Sequence, residues 1–121
     1  MNTLKASLEK RHRASGLNSK FNSDHLSFAA YVLAMRDMIR KVRSSNTNPD
    51  LLNKTVDGNS PYELEPKGDN TAGKQKRWRR GILLIHGLSD SPYCMRHLAK
   101  CFQRNGFRVK AILLPGHGTQ P

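Results

Sequence analysis

Apolar positions in this chain follow three spacings, and each spacing predicts a different element. Ile82-Leu83-Leu84-Ile85 is a continuous apolar run without alternation, the pattern of a strand covered on both faces and therefore of a central parallel strand. His86-Gly87 ends the run, and Gly87 admits the backbone angles of a tight strand-to-helix turn. Ser89 or Ser91 can cap the helix that follows, Pro92 suits its first position, and Gly106 stands just past its end. Within that helix Cys94, Leu98, Cys101 and Phe102 share one face, while Arg96, Lys100, Gln103 and Arg104 point outward. Phe107 to Leu114 alternates at first and becomes apolar at its end, a second strand. Strand, helix and strand make a βαβ crossover, which should be right-handed.

Upstream, Phe28, Tyr31, Val32, Met35, Ile39 and Val42 recur at helical spacing and predict an amphipathic helix ending at Arg43. Asn22 and Ser23 offer caps, Asp24 complements the N-terminal dipole, and Arg40, Lys41 and Arg43 complement the other end. Its stripe needs a surface to dock on. Residues 44–61 are dense in turn formers and read as a linker with turns. Tyr62-Glu63-Leu64-Glu65 alternates apolar and acidic, a short edge strand stopped by Pro66 and the Lys67-Gly68-Asp69-Asn70 turn. The organisation is thus a basic flexible tail over 1–21, an amphipathic helix over 22–43, a linker over 44–73 with a strand at 62–65, and a compact unit over 74–121.

Composition narrows the options. Of 121 residues 36% are hydrophobic, mean hydropathy is −0.67, and the last forty or so residues are too few to close a core alone. The formal charge is +12, with nine Lys/Arg against three acids in residues 1–43 and ten against one in 74–121. Such a balance admits an anionic membrane surface or nucleic acid as a partner. The Lys74-Gln75-Lys76-Arg77-Trp78-Arg79-Arg80 run could stack and pair with nucleic acid, but directly before a buried strand it reads first as a solvated hairpin end. Nucleic acid is therefore the weaker reading. Cys94 and Cys101 stand seven apart on a helix, roughly 10 Å between Cα atoms, too far for a disulfide. Small-residue packing is their expected job. The apolar run Leu26 to Met35 is too short to span a bilayer and starts too late for a secretory leader, so the expected location is cytoplasmic, with peripheral membrane contact as an option.

Chemistry points to the strand ends. In open parallel sheets ligands bind at the carboxyl ends of the strands, and here those ends carry His86-Gly87-Leu88-Ser89 and Pro115-Gly116-His117-Gly118-Thr119. Neither turn is a nucleotide fingerprint: G-x-G-x-x-G and G-x-x-x-x-G-K-[ST] do not occur in the sequence. No metal-ligand spacing occurs and no cofactor is expected.

Apolar strand, His-Gly, Ser-Asp-Ser-Pro-Tyr, an amphipathic helix ending in Asn-Gly-Phe, a strand and Leu-Pro-Gly-His-Gly-Thr together resemble the N-terminal portion of α/β-hydrolase-fold serine hydrolases. The similarity is to bacterial carboxylesterase, lysophospholipase and monoglyceride-lipase relatives. It covers residues 81–121, and Ser60-Pro61-Tyr62-Glu63-Leu64 resembles the strand before that core. The fold class it implies is α/β, an incomplete α/β-hydrolase fold with an N-terminal helix, a short strand and one βαβ crossover of a mostly parallel sheet. It implies that His86 and Gly87 shape an oxyanion loop, that the Leu88 N–H is one of two oxyanion donors, and that Gly116, His117 and Gly118 form a structural loop beside the site. His117 is then a turn-stabilising residue and not a catalytic base. The resemblance stops at the nucleophile. No G-x-S-x-G occurs in residues 1–121, so the expectation is a portion of a hydrolase acting on a small ester of lysophospholipid or acylglycerol type, without its own triad and inactive alone.

Overall fold

The computed structural model describes residues 16–17, 21–22, 24–44, 48–67 and 80–118. The Lys74 to Arg79 run, the Gly68-Asp69-Asn70 turn and most of the 1–21 tail lie outside them. Leu17 and Phe21 do not fit the solvated tail expected of them: they pack against the first helical cluster.

The first helix, α1, is Phe28–Arg43. It starts later than the Asn22–Asp24 caps and first turn expected for it, because Ser27 and not Asn22 or Ser23 is the cap. Ser27 Oγ accepts the Ala30 N–H at 3.2 Å, while the Asn22 side chain is spent on a local turn with the Asp24 N–H at 2.8 Å. No acid therefore sits in the first turn, though Arg40, Lys41 and Arg43 stand in the last as the dipole favours.

The turn-rich reading of residues 44–61 is overturned by a second helix, α2, at Pro49–Asn59. Its start signal is made of turn formers. Asn48 Oδ1 accepts the N–H groups of Asp50 and Leu51 at 3.0 and 3.4 Å, Pro49 needs no acceptor at the first position, and Asp50 complements the dipole. The two helices bury Met35, Met38, Ile39 and Val56 against Leu113, with Tyr31, Ala34 and Leu52 around them. The stripe of α1 thus finds its surface in α2 and in the segment leaving the last strand. Met38, absent from the expected stripe, is part of it. Tyr31 fixes the docking: its hydroxyl donates to the Leu113 carbonyl at 2.9 Å and accepts the Leu113 N–H at 3.1 Å.

The rest is an α/β arrangement: three strands in one mixed sheet, with a helix packed on it. β1 (Tyr62–Leu64), β2 (Arg80–Ile85) and β3 (Phe107–Ile112) lie in the order β1-β3-β2. β1 runs antiparallel to β3 with Tyr62 opposite Ala111, and β2 runs parallel to β3 with Ile85 opposite Ile112. The central strand is β3, so the expected central place of Ile82–Ile85 is corrected: among the described residues β2 is an edge. One face of the sheet is closed. Leu84, Val109 and Ala111 are buried under Ala99, with Met95, Phe102 and Ile82 at the margin. The opposite face is not, since Leu83 and Ile85 are each 54% exposed. The both-faces-covered reading of the run therefore holds on one face only. Lys110 on the open face lies 4.8 Å from the centre of the Phe28 ring, and Glu63 and Glu65 of the β1 segment pair with Arg108.

Between β2 and β3 the helix begins as a 3-10 turn, Pro92–Met95, and continues as α3, Arg96–Arg104. Ser91 does not cap it with its side chain; its hydroxyl donates to the Gly58 carbonyl at 3.3 Å and ties the turn to α2. The expected packing of the cysteines is overturned, for Cys94 and Cys101 are both exposed free thiols. Met95 and Ala99 face the sheet instead, together with the expected Phe102. Gly106, at φ +82°, ends the helix as anticipated. Among the described residues no helix is long and apolar enough to cross a membrane.

Candidate functional site

Parallel pairing of β2 and β3 brings both chain turns out at the same edge of the sheet, because Ile85 and Ile112 are register partners. The first turn, residues 87–90, is closed by the Asp90 N–H donating to the Gly87 carbonyl at 3.2 Å. Gly87 makes this turn without a positive φ. The second, residues 114–117, is closed by the His117 N–H on the Leu114 carbonyl at 3.1 Å. Pro115 presets its first central angle and Gly116, at φ +81°, supplies the positive angle its second requires. Gly118, at φ +66°, follows with the Asn59 Cβ only 3.2 Å from where a Cβ of its own would sit, so the loop lies directly against the end of α2.

The side chains between the turns are His86 and His117. His86 is buried, 4% exposed. Its Nε2 accepts the Leu114 N–H at 3.1 Å, and its Nδ1 lies 2.9 Å from the Gly87 carbonyl. An atom that accepts a backbone N–H carries no proton, so the hydrogen-bond network assigns the proton to Nδ1, which donates to Gly87. His117 faces two carbonyls, Leu88 at 2.6 Å from Nε2 and Pro115 at 3.2 Å from Nδ1. A neutral ring has one N–H, and the shorter contact places it on Nε2. The two rings meet edge to face, 5.0 Å between centroids at 64°. Leu88 itself is 86% exposed, and among the described residues nothing accepts its N–H.

The six expected site residues thus converge: His86, Gly87 and Leu88 on one turn, Gly116, His117 and Gly118 on the other. What sequence reasoning missed are the partners that are not side chains, namely the Leu114 N–H and the Leu88 carbonyl. The available signal was the symmetry of a His beside a Gly at the ends of two strands read as neighbours. Ser89, Asp90 and Ser91 make no nucleophile with either ring: Ser91 is bonded to Gly58, and neither histidine holds a serine hydroxyl. Among the described residues no group of three or more His, Cys, Asp or Glu is placed to hold a metal ion. An open hollow of about 200 Å³ lies against α1, lined by Leu17, Phe21 and Met38 among others, and includes none of these six residues.

Comparison with known proteins adds one short similarity. Over 39 residues, 32% of this chain, the sequence is 44% identical to a thermostable monoacylglycerol lipase of Bacillus sp. (strain H-257). That segment is 16% of the lipase, so the chain corresponds to a small part of that relative's length. No family profile matches the sequence, and no solved structure matches it.

Proposed function

We propose that this chain is the oxyanion-hole portion of an α/β-hydrolase-type enzyme that cleaves carboxylic esters of acylglycerol or lysophospholipid type. The nucleophile, acid and base belong to sequence other than residues 1–121. The observation that carries this reading is the exposed Leu88 N–H, which has no acceptor among the described residues, at the carboxyl end of a parallel strand. The 39-residue similarity to a monoacylglycerol lipase supports it.

Ester hydrolysis needs a hydroxyl attacking the acyl carbon and a place for the negative charge that develops on the carbonyl oxygen. A backbone N–H is suited to the second task because it is fixed, uncharged and cannot be titrated away. Removing one such donor costs about 10²–10³ in kcat. The nucleophile enters beside it if a further parallel strand pairs with the free edge of β2, since its carboxyl end then emerges next to the 87–90 turn.

Two experiments test this. Purified residues 1–121 should give no turnover of a short-chain nitrophenyl ester above buffer; turnover would overturn the assignment of the triad to other sequence. A graft replacing the matched segment of the Bacillus lipase with the corresponding residues of this chain should hydrolyse the same ester. A folded but inactive graft would overturn the oxyanion role.

A further inference from the structure

The two histidines bridge the same pair of turns in opposite senses. His86, on the β2 side, reaches across to accept from Leu114 at 3.1 Å, and His117, on the β3 side, reaches back to the carbonyl of Leu88 at 2.6 Å. One bridge would let the turns pivot about it. Two offset bridges, with the rings in edge contact at 5.0 Å, fix both their separation and their angle.

What they fix is one peptide unit. The Gly87 carbonyl and the Leu88 N–H belong to the same planar amide and point in opposite directions. That carbonyl receives the Nδ1 proton of His86 at 2.9 Å and the Asp90 N–H at 3.2 Å. With the oxygen held inward against a buried ring, the N–H is turned outward. Hydrogen bonds to the oxygen also polarise the amide and strengthen its N–H as a donor. The next carbonyl along, that of Leu88, is held by His117, so the angle on the other side of the donor is set as well.

We propose that His86 and His117 form a crossed latch whose work is to position the Leu88 N–H, with His86 locked as the Nδ1–H tautomer. They are positioning residues, not catalytic ones, and the purpose of the latch rests on the oxyanion reading above. The latch requires an unprotonated Nε2 on His86, because a proton there would face the Leu114 N–H, donor to donor. His117 lies against the His86 ring, and the Asp90 carboxylate lies 3.4 Å from where a Cβ on Gly87 would sit.

The test uses the full chain, labelled with ¹⁵N. The imidazole nitrogens of His86 should report Nδ1–H with an unprotonated Nε2, and Leu88, though exposed in a turn, should have a backbone order parameter near ~0.85, the value of rigid backbone. His117→Phe keeps an aromatic ring in place and removes the Leu88 bond. It should lower the Leu88 order parameter toward about 0.6 and speed exchange of the Leu114 N–H, which bonds His86 and not the His117 side chain, by about fivefold. An Nε2–H tautomer at His86, a mobile Leu88 in the unsubstituted chain, or a Leu114 amide indifferent to His117→Phe would each overturn the latch. No ester or nucleophile enters these measurements. An inactive lipase graft beside an intact latch would therefore remove the catalytic reading alone, and a failed latch beside an active graft would remove only this inference.

Discussion

The helical pair at the N-terminal side and the β2–α3–β3 crossover are built from similar side chains and finished to different degrees. Between α1 and α2 the inward apolar residues are closed off within the chain, with Ile39 and Val56 at 0% exposure and Leu113 brought in as a lid. In the crossover only the α3 side is closed. Leu83 and Ile85, from the same strand as the buried Leu84, face outward. The helical pair is closed and seated on the end of β3, whereas the crossover keeps one face of its sheet open among the described residues, and the two His-bearing turns lie on the rim where the two regions meet.

That contrast can be broken by substitution. Ile39→Ala removes a side chain with no exposed surface and should cost about 3 kcal/mol in urea unfolding, the usual range for a buried Ile. Leu83→Ala in the same assay should cost less than ~0.5 kcal/mol, as substitutions of exposed residues do. Equal costs would contradict the division.

Tyr31→Phe tests the seam between the regions. It leaves the buried Leu113 N–H and carbonyl without the hydroxyl that serves both, a loss of about 1–3 kcal/mol. Burial pushes the Tyr31 hydroxyl above its ordinary 10.0, against a smaller downward pull from the Leu113 bond. A group whose folded value is raised stabilises fully below its unfolded value and loses that contribution as pH rises through the folded one. The unsubstituted protein should therefore weaken above about pH 10, more steeply than Tyr31→Phe; parallel alkaline limbs would deny the seam its role.

Gly118→Ala should be milder, about 1 kcal/mol, from φ +66° and the approach of Asn59 Cβ at 3.2 Å. If it leaves thermal stability untouched, the loop is not held against α2 as described.

The crossover was legible in the sequence because its signals are local: an apolar run, a Gly past the helix, an alternating strand. The second helix was not, because Asn48, Pro49 and Asp50 favour turns and helix starts alike, and only the burial of Val56 against α1 decides between them. The cysteine face was misread for a geometric reason. Pro92–Met95 winds as a 3-10 turn with about three residues per turn, so Cys94 leaves the face that regular 3.6 spacing gives it; within α3, Ala99 and not Cys101 lies against the sheet, and Phe102 keeps the inward place read for it. The run Ile82–Ile85 carries apolar side chains on both faces, and the described residues bury those of one face only. At the site, the residue types were readable and the bonds were not, since the partners of His86 and His117 across the turns are backbone groups brought near by strand register.

The proposed role of the Leu88 N–H as an oxyanion donor rests on one atom. In the active lipase graft, replacing the amide of Leu88 by an ester deletes that N–H and keeps the side chain. kcat for nitrophenyl ester hydrolysis should fall by about 10²–10³, with the graft still folded and KM little changed. An ester-substituted graft that turns over as fast as its amide parent would contradict it.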